Sequence, residues 1–230
     1  MKNEDGQEKF YIYLSIVLVL ALAVLISSIL VIDFGTVNIN AIIFFLLVSV
    51  VAEALGLELP KGGHISVTFA IDLACIIALG PVVSIWIALG SALFNPDTLR
   101  GKDPIYTTLF NCSSFVLTIW SAGMVYLALG GSINSYPVLY IVPLIGAVIT
   151  YVIVNSGTVS IYLALLKKVS PWSIWISITR GVAPSLLALT PMALLMASIY
   201  KIAGVWGVSF FFVPLLMARY LFKGYLEIRQ

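Results

Sequence analysis

The sequence predicts an all-α, polytopic integral membrane helix bundle, for two reasons. First, 61% of the 230 residues are hydrophobic and only 10% are charged, whereas soluble domains are about 45–50% apolar and about 25% charged. The mean hydropathy is +1.12. Second, the apolar residues form long runs with short polar breaks, as bilayer-crossing helices of about 20 residues require. The formal net charge of +2 is spread along the chain, so no nucleic-acid partner is expected.

These runs give about eight hydrophobic segments. Residues 1–10 are predicted to be a cytoplasmic tail, residues 11–222 the transmembrane domain, and residues 223–230 the start of a cytoplasmic exit helix. The first run, 11–32, is longer than the core of a signal peptide, which has about 7–15 residues. The remaining runs cover 39–57, 65–79, 81–94, 105–129, 137–166, 172–200 and 204–222.

The third and fourth segments are predicted to be a short helical hairpin broken at Gly80-Pro81. One helix over 65–94 would be about 45 Å long, against a hydrocarbon core of about 30 Å. Proline cannot continue a helix from its interior, and glycine permits a tight turn. With this hairpin and a cytoplasmic N-terminus, ten of the 12 Lys and Arg residues lie in the cytoplasm, Lys201 lies outside and Arg180 lies in a span, as the positive-inside rule requires. Whether the hairpin crosses the bilayer or re-enters stays open.

Small residues at four-residue spacing predict close helix packing in two places. The first set is Gly80, Ser84, Ala88 and Ala92, and the second is Ser156, Ser160 and Ala164.

The signatures of common enzymes are missing from the sequence. His64 is the only histidine, which excludes HExxH and multi-histidine metal sites. There is no Walker motif, no G-x-S-x-G elbow and no G-x-G-x-x-G loop. Cys75 and Cys112 lie inside apolar runs and are predicted to be packing residues. We therefore expect no enzyme activity, no metal and no cofactor.

Five polar residues inside the spans form the candidate site: Glu53, Asp72, Asn111, Asn155 and Arg180. Their positions in the runs place all five about 6–16 Å from the cytoplasmic end. Charged groups in a bilayer face the protein interior and find partners. Two interpretations stay open. One is a structural Asp72–Arg180 ion pair with amide hydrogen bonds, and the other is a ligand-binding or signal-sensing layer.

The second candidate site is the cytoplasmic loop at Lys61, Gly62, Gly63 and His64. Its glycines permit positive φ and could expose backbone amides to an anion beside Lys61. A plain reverse turn is the alternative.

Three segments resemble a known family. Leu59-Pro-Lys-Gly-Gly-His-Ile-Ser-Val-Thr-Phe-Ala-Ile-Asp-Leu-Ala and Ala78-Leu-Gly-Pro-Val-Val-Ser-Ile-Trp-Ile-Ala-Leu-Gly90 resemble the N-terminal membrane input domain of bacterial HD-GYP-type phosphodiesterases, which degrade cyclic di-GMP. The segment from Pro214 to Arg229 is similar to the exit from the membrane in those proteins. The HD and GYP motifs have no match in this chain, so the resemblance implies an input domain of a bacterial inner-membrane protein and no phosphodiesterase site.

The Leu79-Gly-Pro81 turn also looks like that of substrate-binding components of energy-coupling-factor vitamin transporters. The function expected first is a sensory or signal-input domain, with both termini cytoplasmic, that couples a ligand or membrane signal to an output through its last helix. The alternative is a vitamin-binding transporter component. The expected partners are the lipid bilayer, a small-molecule ligand, a cytoplasmic output domain or protein, and a second copy in a homodimer.

Overall fold

The computed structural model describes residues 4–32, 38–54, 57–58, 64–65, 68–101 and 104–210, and it confirms the all-helical class. The helices are α1 Glu4–Val31, α2 Ile39–Ala54, α3 Thr68–Leu79, α4 Pro81–Leu93, α5 Pro96–Leu99, α6 Ile105–Ala128, α7 Ile141–Lys167 and α8 Pro171–Ser209, with a 3-10 turn at Pro137–Tyr140. Two short antiparallel strands, β1 Leu57–Glu58 and β2 His64–Ile65, connect α2 to α3.

Four of the described helices are long and apolar enough to cross a membrane: Gln7–Val31, Ile105–Ala128, Ile141–Lys167 and Ala188–Ser209. Three shorter apolar helices accompany them, over Ile39–Glu53, Thr68–Leu79 and Pro81–Leu93. The membrane bundle predicted from the sequence is therefore present, but its α2–α4 part consists of helices shorter than a full crossing.

The predicted hairpin at Gly80-Pro81 is confirmed. Gly80 joins α3 to α4 with φ 84° and ψ 163°, a backbone region that favours glycine. A Cβ atom on Gly80 would lie 2.7 Å from Ile133 Cδ1, and one on Gly123 would lie 2.4 Å from Pro81 Cβ. The turn is therefore packed against both α6 and the α6–α7 loop.

The hairpin's first helix, α3, is the centre of the core. All residues from Thr68 to Ala78 are buried, and α3 contacts α2, α4, α6 and α8. Other helices therefore enclose α3.

The loops lie at two ends of the bundle, here called the first end and the second end. At the first end, the Phe10 ring of α1 lies 5.7 Å from Tyr106 of α6 and 5.6 Å from Tyr162 of α7. At the second end, Asn134 N donates to Ile77 O at 2.8 Å, and Lys201 Nζ donates to Asn134 O.

The described cations follow this division. The first end holds Lys9, Arg100, Lys167 and Lys168, all exposed, the second end holds Lys201, and Arg180 lies between them within α8. The eight-segment prediction requires successive loops to lie at alternate ends of the bundle, and the loops before α3 and after α4 to lie at the same end. The arrangement of the described residues matches this requirement. The assignment of the first end to the cytoplasm stays a prediction.

Both small-residue sets are buried, as expected for close packing. Ser84, Ala88 and Ala92 are 2%, 1% and 7% exposed, and Ser156, Ser160 and Ala164 are 6%, 1% and 4% exposed. The short distance from Gly123 to Pro81, the residue after Gly80, shows that α4 and α6 pack closely where α4 begins.

The predicted break at 201–203 is found one residue later, at Gly204. Two helical segments within Pro171–Ser209 meet there at a kink, where Gly204 has φ 60° and ψ −150°. These angles favour glycine, which lacks a Cβ atom. The rest of the eighth run and the predicted exit helix, 211–230, lie outside the described residues.

Candidate functional site

Asp72 is a buried ionisable residue in the part of the core that the structure describes. Its side chain is 2% exposed, and Asp72 Oδ2 accepts a hydrogen bond from the Tyr151 hydroxyl at 3.0 Å. The Tyr151 ring also packs edge-on against Phe69, with centroids 4.9 Å apart. Because Phe69 and Asp72 both belong to α3, Tyr151 fastens α7 to α3 by a polar and an aromatic contact together.

One helical turn before Asp72, Thr68 continues the polar contacts toward α2. Thr68 Oγ1 donates to Glu53 Oε2 at 2.6 Å, and Asn95 Nδ2 donates to Glu53 Oε1 at 3.4 Å. Thr68 and Asp72 share one face of α3 because they are four residues apart. Together these side chains form what we call the Glu53–Asp72 cluster: Glu53, Thr68, Asp72, Asn95 and Tyr151.

The cluster joins four parts of the chain: α2, α3, the segment that follows α4, and α7. Its two carboxyl groups are related through α3, because Glu53 accepts a hydrogen bond from Thr68, which lies four residues before Asp72. The partner that the structure gives to Asp72 is a neutral hydroxyl. A buried carboxylate held by one neutral donor is poorly compensated, so its position depends on the packing around it.

In chemical terms, the cluster can recognise hydrogen-bonding groups. Its side chains offer carboxylate, hydroxyl and amide groups from several helices. No group of three or more His, Cys, Asp or Glu side chains that could hold a metal occurs in the described residues.

The predicted ion pair between Asp72 and Arg180 does not form. Both side chains are described, no ion pair joins them, and Arg180 is exposed. The face of α8 that enters the core instead presents Ala193, Met196 and Ala197. The prediction used depth in the membrane alone, whereas rotation about the helix axis points Arg180 away from α3.

Asn111 and Asn155, the two amides of the predicted layer, also stay outside the cluster. Both are half-buried, and neither side chain has a hydrogen bond among the described residues. Of the five predicted residues, Glu53 and Asp72 are therefore the two that meet on one face of α3, Glu53 through its hydrogen bond with Thr68 and Asp72 one turn further along.

The predicted anion-binding loop lies mostly outside the described residues, which do not include Lys61, Gly62 or Gly63. For His64 the structure describes the backbone, which pairs with Glu58 between β1 and β2. The anion contact at this loop stays a prediction.

Sequence reasoning missed Thr68, Asn95 and Tyr151. The position of Tyr151 could have identified it from the sequence. It lies ten residues into α7, deeper than the interfacial level where membrane tyrosines usually lie. For Thr68 the signal was its position one turn before Asp72.

A second group of polar contacts, which we call the polar seam, joins α1, α6 and α7. The Tyr13 hydroxyl donates to Thr158 O at 2.9 Å, and the Ser114 and Thr158 hydroxyls lie 2.7 Å apart. Thr107 Oγ1 and the Tyr162 hydroxyl lie 2.8 Å apart. Tyr13 is half-buried and belongs to this seam. Each of these neutral side chains has a hydrogen-bond partner, which indicates that they serve helix packing.

Comparison with known proteins identifies one family. The MASE9 profile, which describes a family of membrane-associated sensor domains, matches residues 5–225. No curated protein and no solved structure matches the chain significantly. The match supports the predicted membrane sensor domain, while the resemblances to HD-GYP proteins and to vitamin transporters are not confirmed.

Proposed function

The chain belongs to the MASE9 family of membrane-associated sensor domains, and we propose that it transmits a signal from the Glu53–Asp72 cluster through α8 and then through the last predicted segment, 204–222, to a cytoplasmic output. The observation that supports this most is the hydrogen bond from Tyr151 to Asp72. It joins α7 to the buried helix α3, and α8 packs against both of these helices.

The proposed route begins at α3. Because α3 is buried along its length, any shift or rotation of this helix must be accommodated by its neighbours. On α8, the neighbouring residues include Met196 and Ala197, which are each 1% exposed. The Tyr200 ring of α8 also lies 5.5 Å from Phe45 of α2. A change in the cluster therefore has a direct mechanical path into α8.

The mechanism we propose is a shift between two packing states. In one state Tyr151 binds Asp72, and in the other a signal weakens that bond and lets α3 and α8 repack. A signal shifts such an equilibrium only by favouring one state over the other. A small ligand with hydrogen-bonding groups, or a change in the state of the membrane, could do this.

The output is proposed to be a cytoplasmic domain or protein, with both termini of the chain in the cytoplasm of a bacterium. The positive-inside rule supports this orientation. A cyclic di-GMP phosphodiesterase of the HD-GYP type is the output we propose first, because 59–74, 78–90 and 214–229 resemble the membrane parts of those proteins. The chain itself is proposed to have no enzymatic activity and to act as a homodimer.

Signal transmission through the last helix is tested by changing the helical phase of the segment that follows it. A reporter domain fused after the chain is compared with versions that carry one inserted residue or a whole heptad after Phe222. One residue rotates the following helix by about 100°, whereas a heptad nearly restores the phase. We expect the single insertion to change reporter activity and the heptad to restore it. Equal activity in all three fusions would contradict transmission through the last helix.

A further inference from the structure

Arg180 lies on the outward face of α8. Exposed side chains recur there at the spacing of one helical face, as in Ser173, Ser177, Arg180, Ala188, Leu195 and Ile202. Residues at such spacings lie above one another on an α-helix. After Arg180, the exposed side chains that the structure describes on α8 are all apolar. This composition indicates that the face contacts lipid and that Arg180 is the charged group on it.

The described part of the chain gives Arg180 no hydrogen bond and no ion pair. Of its described neighbours on the same face, Ser177 offers only a neutral hydroxyl, and Ala188 offers no side-chain acceptor. Neither residue can balance the positive charge. A charged group at the edge of the hydrocarbon region is costly without an anionic or aqueous partner. The partner must therefore come from outside the described chain.

The depth of Arg180 indicates which partner it can reach. Trp172 and Lys201 are 29 residues apart, or about 44 Å along α8, which matches a bilayer of about 40–45 Å including its headgroup regions. Arg180 lies eight residues after Trp172, about 12 Å along the helix. Its backbone is thus about 5 Å inside the hydrocarbon boundary when the hydrocarbon core is about 30 Å thick.

An arginine at this depth can extend its side chain to the headgroups. The level of Trp172 supports its use as the interfacial reference, because Trp172 is 65% exposed and its ring stacks on Trp175 at 4.9 Å. Tryptophan side chains concentrate at the headgroup level. Exposed Lys167, in the last turn of α7, adds positive charge to the same end.

We propose that Arg180 binds the phosphate of an anionic phospholipid in the leaflet at this end of the bundle. The planar guanidinium group binds two phosphate oxygens at once. Nearby cations raise the local concentration of anionic lipid. This site is separate from the Glu53–Asp72 cluster, and it exists whether or not the cluster receives the signal.

Native mass spectrometry of the full chain tests the site. The protein is purified in detergent and offered equal amounts of phosphatidylglycerol and phosphatidylcholine, and the ratio of the bound lipids is counted. Arg180→Ala is expected to lower the preference for phosphatidylglycerol about fivefold, the factor for about 1 kcal/mol per cation near an anionic surface. Arg180→Lys should keep part of the preference, because it keeps the charge and loses the two-oxygen geometry.

Arg100→Ala is the matched control, because Arg100 is an exposed arginine of a loop at the same end. The proposal requires this variant to keep the wild-type preference. An unchanged preference in Arg180→Ala, or an equal fall in Arg100→Ala, would overturn the site. So would displacement of the lipid by inorganic phosphate alone, or a loss of dimers in Arg180→Ala with no change in bound lipid.

Discussion

Tyr151 donates a hydrogen bond to Asp72 Oδ2 at 3.0 Å, and both side chains are almost completely buried, at 3% and 2% exposed. The bond connects the middle of α7 to the first turns of α3 and fixes the rotation of a helix whose other buried side chains are mostly apolar. One residue of slippage would turn Asp72 by about 100° and break the contact. The bond therefore determines the register between α3 and α7.

Removing the Tyr151 hydroxyl should destabilise the protein. Removing one partner of a buried hydrogen bond leaves the other unsatisfied, which costs about 1–3 kcal/mol, and we expect Tyr151→Phe to lower the free energy of unfolding by an amount in that range. Unfolding of the purified protein in mixed micelles with increasing denaturing detergent measures it. Tyr11→Phe is the matched control, because Tyr11 is 57% exposed, and it should change stability by less than about 0.5 kcal/mol.

The effects of Tyr151→Phe and Asp72→Asn should not add. Once either partner is changed, the second substitution removes a contact that is already weakened, so the double variant should be more stable than the sum predicts by about 0.5–3 kcal/mol. A complete double-mutant cycle under the same unfolding conditions gives this coupling energy. Simple additivity would mean that the two side chains do not interact.

Gly123 should be intolerant of even one added methyl group. In Gly123→Ala the new Cβ atom would meet Pro81 Cβ at 2.4 Å, and such overpacking costs about 1–3 kcal/mol. Gly157→Ala is the control within α7, since its Cβ atom would meet nothing within 4 Å. Because alanine favours helices over glycine by about 1 kcal/mol, this variant should be as stable as wild type or slightly more stable. Equal stability of the two variants would show that α4 and α6 are not packed closely.

The orientation in the membrane is open to cysteine labelling. In a chain lacking Cys75 and Cys112, Ser132→Cys should react with a membrane-impermeant thiol reagent in intact cells, whereas Thr98→Cys should react only after the cells are opened. This follows from the end that bears most cations facing the cytoplasm. Labelling of Thr98→Cys in intact cells would reverse the predicted orientation.

Much of the fold was predictable because it depends on local properties of the chain. Run length and polarity identified the membrane segments, and Gly80-Pro81 identified the hairpin, since proline and glycine restrict the backbone wherever they occur. The kink at Gly204 was predicted slightly too early in the chain. The polar Lys201 interrupts the apolar run more visibly than a glycine does.

The polar contacts were only half predictable. Depth along each helix correctly indicated that Glu53 and Asp72 lie in one region, because axial rise is the same in every helix. Depth says nothing about rotation, which depends on how all the helices pack together. That is why Arg180 points outward on α8, and why Asp72 binds the neutral Tyr151.

The central claim is that the Glu53–Asp72 cluster determines the state of the output, and reporter activity in the fused full chain tests it most directly. Asp72→Asn, Tyr151→Phe and the control Tyr11→Phe are compared at equal amounts in the membrane. The proposal predicts that both cluster variants shift reporter activity in the same direction, that their combination shifts it no further, and that Tyr11→Phe leaves it unchanged. Wild-type activity in both cluster variants, alongside the expected loss of stability in Tyr151→Phe, would show that the cluster holds the bundle together and transmits no signal.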